Sequence, residues 1–126
     1  ERLAATAERV WGPDHPELAR TLLNLGKARA ALGAKEAALA DFSRALGICN
    51  RSLTQDHPQR VRALAFLAGL KQEAGRLAEA EPLYRELLAL HQQGASYSNW
   101  DDVLAQWQEL QKAKQAQAAT RPAAPP

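Results

Sequence analysis

Apolar residues fall at helical spacing in two similar stretches of the chain. Leu18, Leu22, Leu25, Ala28 and Leu32 recur three and four apart, as do Val61, Leu64, Leu67 and Leu70, so each stretch predicts an amphipathic helix. Each stripe stops at a glycine, Gly33 or Gly75, because a residue without Cβ enters the left-handed conformation at no steric cost. A second stripe follows each glycine: Ala38, Leu39, Phe42, Ala45, Leu46 and Cys49 after the first, and Ala80, Leu83, Tyr84, Leu87, Leu88 and His91 after the second. Small Ala residues on these stripes let paired helices approach closely. Pro16 and Pro58 stand where a first helical turn tolerates a missing N–H. Asp14 and Asp56 just upstream are expected to accept the free amide protons there.

The two stretches are copies. Asp14-His15-Pro16 recurs as Asp56-His57-Pro58, an offset of 42 residues, and the same offset carries Arg20 onto Arg62, Gly33 onto Gly75, Ala38 onto Ala80 and Phe42 onto Tyr84. A repeat of that length reads as one helix pair stacked on the next. Residues 1–13, with Leu3, Ala7, Val10 and Trp11, read as the second helix of a preceding half-unit, followed by repeats over 14–55 and 56–97. Ser98 and Asp101 are expected to form a capping box for a last helix over 98–118, with Trp100, Val103, Leu104, Trp107 and Leu110 on its apolar face. Its other face carries Asp102, Gln106, Gln108, Gln111 and Lys112, and a stack of helix pairs ends on such a wetted helix. Residues 119–126, rich in Ala and Pro, read as a tail or linker. The expectation is an all-α antiparallel helix-pair solenoid of about six helices with a C-terminal capping helix.

Composition agrees with helix over sheet. The 126 residues are 46% apolar, dominated by Ala and Leu, with only 6% aromatics, and β-branched and aromatic residues are what strands use. Sixteen cations against 14 anions give a net charge of +2. Without a basic stripe interleaved with aromatics, no nucleic-acid partner is expected. No apolar run is long enough to span a bilayer, and the last helix has few basic residues for lipid headgroups, so no membrane partner is expected either. A single cysteine, Cys49, excludes an internal disulfide and leaves the compartment open, with the cytoplasm the favoured expectation. The absence of Met, even at position 1, suggests a segment of a longer protein.

Gly12-Pro13-Asp14-His15-Pro16, Thr21-Leu22-Leu23-Asn24-Leu25-Gly26, Gly33, and Ala38 with Phe42, Ala45 and Leu46 resemble tetratricopeptide repeats, in the 42-residue variety found in kinesin light chain. Asp56-His57-Pro58, Leu64, Gly75 and Glu79-Ala80-Glu81-Pro82-Leu83-Tyr84 repeat the pattern. The resemblance implies a protein-interaction module of scaffold or adaptor type whose first helices line a peptide groove. Its groove positions fall on Arg20, Asn24, Lys27 and Ala31, then on Arg62, Phe66, Gly69 and Glu73. Arg20 and Arg62 are expected to grip an acidic segment, Asn24 to hold partner backbone and Phe66 to fill an apolar gap.

Catalysis, a cofactor and a bound metal are not expected. His15 and His57 beside Asp14 and Asp56 superficially offer acid–base pairs, but their presence in both copies points to one structural task at each helix start. Phosphate loops and dinucleotide fingerprints are absent. Two other readings are self-association through an open repeat face or the Trp-bearing last helix, and a regulatory docking arm of a larger signalling enzyme.

Overall fold

A computed structural model describes residues 15–120, and every regular element among them is helical. The helices are α1 (Pro16–Ala31), α2 (Lys35–Ser52), α3 (Pro58–Glu73), α4 (Leu77–Gln92) and α5 (Trp100–Thr120). They pack as sequential antiparallel pairs, α1 on α2 and α3 on α4, with α2 against α3 and α5 closing on α4. The first helices of the units also lie side by side, α1 beside α3 and α3 beside α5. Five helices are therefore present among the described residues. The half-unit expected over 1–13 lies outside them, as does most of the tail, and α5 ends two residues past the expected position 118.

Both repeats start and stop by the same chemistry. The N-cap residues are the histidines, not the aspartates: the amide of Glu17 donates to His15 Nδ1 and that of Gln59 to His57 Nδ1, each at 3.1 Å. Proline follows at the first helical position, so its missing N–H costs nothing there. Asp56 is exposed and Asp14 lies outside the described residues. Imidazole does the expected task of a carboxylate because its ring nitrogen reaches the same amide. At the other end α1, α3 and α4 close in the same way. Gly33, Gly75 and Gly94 have φ of 85°, 80° and 86°, and the following amides reach back to Arg29, Lys71 and Leu90 carbonyls at 2.8, 2.8 and 3.0 Å. That six-to-one bond with a left-handed glycine satisfies carbonyls the helix leaves free.

Two clusters make up the core. Leu18, Leu22, Ile48 and Leu67 belong to the first, and Leu64, Tyr84, Leu87 and Leu110 to the second. Helix α3 serves both, with Ala63, Leu67 and Leu70 in one and Val61, Leu64 and Ala68 in the other. A helix packed on two sides needs apolar residues around most of its circumference, which α3 has.

The buried arc of α1 differs from the expected stripe. Leu18, Ala19, Leu22, Leu23 and Gly26 are buried, whereas Ala28 is exposed and Leu32 is 86% exposed. Leu32 is the C-cap residue at the tip of the turn, past the point where α2 covers α1. Gly26 belongs to the arc because α2 crosses there: a Cβ built on it would stand 2.5 Å from the Phe42 ring. On α4, His91 is exposed, with its ring 4.7 Å from that of Trp100, while Leu90 takes the buried position.

The start of α5 also differs from the proposed box. Asn99 precedes the first helical residue and its carbonyl accepts from Val103 N–H at 3.2 Å, one position later than a Ser98–Asp101 pairing requires. Gln106 stays exposed, as expected of the wet face, yet reaches α3 and α4. Tyr84 Oη donates to Gln72 Oε1 at 2.7 Å, with Gln106 Oε1 3.2 Å away, and Gln72 Nε2 donates to the Gln106 carbonyl at 3.1 Å. The side-chain nitrogen of Gln111, also expected on the wet face, is buried.

Candidate functional site

Side-by-side packing of α1 and α3 puts equivalent residues of the two repeats on one surface. Their starts are tied directly, since Gln59 Nε2 donates to the Pro16 carbonyl at 2.7 Å. One turn further along each helix stand Arg20 and Arg62, and then Lys27 and Phe66. These four, with Tyr97 and Asn99 from the loop between α4 and α5, line a depression of about 560 Å³. The loop residues were not singled out by the sequence reading. They are held in place by Trp100, whose indole N–H donates to the Ala95 carbonyl at 3.0 Å and whose ring meets that of Tyr97 edge-on, centroids 5.4 Å apart.

Charge in this depression has one sign. Three cations line it and no carboxylate does. Arg20 is partnered from outside, by Glu17 at 2.7 Å. Lys27 and Arg62 instead lie over the Phe66 ring, 5.3 and 5.2 Å from its centroid. That ring packs in turn on Phe42 at 5.6 Å. Phe66 is thus the platform on which two cations rest rather than an open apolar socket, and each cation gains from the ring's negative face. Burial pushes the Tyr97 phenol above its ordinary value, opposed by its hydrogen bond with Asn99 and by Arg62 and reinforced by Asp102. It stays a neutral hydroxyl at the rim, able to donate to an acceptor.

Of the other expected groove positions, Asn24 is exposed and lines neither this depression nor its two neighbours. Glu73 stands at the far end of α3. It borders two smaller depressions of about 250 and 390 Å³, with Gly69 and Gln106. Gln106, on α5, had no signal in the sequence beyond its place on a helix opposite the apolar face.

Cys49 is buried and free, and its thiol is pushed up by burial, against the opposing effects of Arg60 and of its hydrogen bond with Gln59. Among the described residues no three His, Cys, Asp or Glu side chains converge as a metal site, and no helix is long and apolar enough to cross a membrane.

Stacked helix pairs at a fixed offset are features of helical-repeat proteins. Residues 36–93 match the tetratricopeptide repeat. The match runs from the first turn of α2 through α4, so it includes all of α3 and the second half of the surface just described. The chain matches no curated protein. A tetratricopeptide repeat is typically a protein–protein interaction module and is usually non-catalytic.

Proposed function

We propose that this chain is a non-catalytic binding unit that takes an acidic protein segment into the groove between α1 and α3, in a scaffold or adaptor role. The carrying observation is the depression lined by Arg20, Lys27 and Arg62 without a carboxylate among its lining residues. Lys27 and Arg62 have no carboxylate within ion-pair distance among the described residues, and the ring beneath them keeps them aimed into the groove. Carboxylates of a partner would meet a bidentate donor in Arg62 and a point charge in Lys27. The Tyr97 hydroxyl adds a neutral donor for backbone. Arg20, already held by Glu17, contributes less, and Asn24 serves a segment long enough to leave the depression. The 42-residue spacing and the Asp-His-Pro lead-in support placing the repeats with the kinesin light chain variety.

The test is an anisotropy titration of a fluorescent decapeptide rich in Asp and Glu against the wild type and Arg20→Glu/Arg62→Glu. A loss of at least about tenfold, or ~1.4 kcal/mol, with unchanged helical circular dichroism, is expected. A folded double variant that keeps full affinity would sink the proposal.

A further inference from the structure

We infer that the segment this groove takes is bipolar, acidic where it meets Arg62 and basic about five residues along, where it passes Glu73 beside Gly69. The inference rests on the binding reading above and adds the partner's charge pattern to it. Three depressions run together along α3. The basic one shares Lys27 and Phe66 with the 250 Å³ depression, which shares Gly69, Glu73 and Gln106 with the 390 Å³ one. Arg62, Phe66, Gly69 and Glu73 succeed one another at spacings of four, three and four, so they lie on a single face of α3.

Along that face the sign of charge reverses. Glu73 is exposed and has no cation within ion-pair distance among the described residues. Glu109, on the far wall, is paired with Lys112 at 3.4 Å. Eleven residues of helix separate Arg62 from Glu73, about 16 Å at 1.5 Å per residue. An extended chain covers that distance in about five residues at roughly 3.3 Å each. Opposite charges on a ligand at that spacing would be matched at both ends, whereas a wholly acidic segment would lay a carboxylate against Glu73.

Gly69 provides the independent observation. A glycine inside a helix is a poor choice unless something comes close to it. At Gly26 the close neighbour is visible, the Phe42 ring. At Gly69 a Cβ would meet only the Gln106 amide, at 3.6 Å or more, which is ordinary contact. A Cβ would fit there with only that amide in contact, and Gly69 borders two depressions. A ligand backbone laid against α3 at this point accounts for the glycine.

The experiment uses fluorescent twelve-residue peptides in both chain directions: acidic and basic pairs spaced by two, five or nine residues, an all-acidic peptide and a neutral one. A five-residue spacing in one direction is expected to bind at least tenfold more tightly than the all-acidic peptide. Glu73→Lys is expected to reverse that preference. Gly69→Ala is expected to raise the melting temperature while weakening the bipolar peptide at least fivefold, a combination that a glycine kept for packing would not give. All-acidic peptides that bind as tightly as bipolar ones would overturn the bipolar pattern and leave the acidic-segment reading standing. Binding of none of the acidic peptides overturns both, and unchanged bipolar affinity in Gly69→Ala overturns the contact at Gly69.

Discussion

Two helical glycines illustrate how a residue's neighbours, more than its type, decide what it is for. Replacing Gly26 with Ala improves helix propensity by about 1 kcal/mol but drives a methyl group to 2.5 Å from Phe42, whose ring is wedged against Phe66. Overpacking of that kind costs about 1–3 kcal/mol. Gly26→Ala is therefore expected to lower stability in a urea titration, whereas Gly69→Ala gains the propensity term. Equal and same-signed shifts in the two variants would contradict this account of the α1–α2 crossing. The sequence marked both positions, Gly26 within a repeat motif and Gly69 as a groove residue, but carried no signal that separated them. What separates them is the neighbour, the Phe42 ring of α2 at Gly26 and the Gln106 amide at Gly69. The histidines were legible in a similar half-measure: a shared structural task at both helix starts could be read from their repetition, whereas the capping atom could not. Asp is the commoner N-cap, and only the geometry shows Nδ1 of His15 and His57 receiving the amides.

At the scale of elements, the two repeats are joined by one buried cation that the repeat pattern does not mark. Arg60, 7% exposed, donates from Nε to Asn50 Oδ1 at 2.7 Å, from Nη1 to the Gln55 carbonyl at 2.9 Å and from Nη2 to Glu86 Oε2 at 2.5 Å. It fastens α2, the connecting loop and α4 to α3. Arg60→Ala removes those three bonds while water can satisfy their exposed acceptors, and a loss of about 2 kcal/mol is expected in chemical denaturation. A loss below about 1 kcal/mol would mean that the apolar contacts alone set the inter-repeat geometry. Tyr84 locks α4 to α3 and α5 in a comparable way. Burial, reinforced by the nearby Glu73 carboxylate, pushes its phenol well above the ordinary 10.0. The folded state therefore holds this proton more tightly than the unfolded chain. Its contribution is complete below pH 10.0 and is lost as the pH rises beyond that, because the unfolded state then ionises first. Stability of the wild type should fall more steeply above pH 10 than that of Tyr84→Phe, and parallel curves would count against it. The two helix pairs and their glycine stops were readable from a 42-residue offset, and the last helix from its own apolar face. The rotation of α1 was not, since Leu23 and Leu25 offer equal apolar surface and only the covering helix selects between them.

For the molecule as a whole, the arrangement places like charges of successive repeats on one wall and leaves them unmatched by any lining carboxylate. The family resemblance pointed to Arg20, Lys27, Arg62 and Phe66 as groove positions, and these four line one depression. The Tyr97 loop was missed because its position depends on where Trp100 docks, a tertiary contact with no periodic signature. The groove lies open to solvent, so the attraction it exerts is screened over about 8 Å at physiological ionic strength. The most direct measurement is an amide and side-chain shift map by nuclear magnetic resonance, recorded on the full chain during titration with the acidic decapeptide. The largest changes should fall on Lys27, Arg62, Phe66 and Tyr97, saturate together and fade as salt is raised. Changes confined to the outer face of α2 or to the end of α5, with these four residues unmoved, would contradict the groove as the binding site.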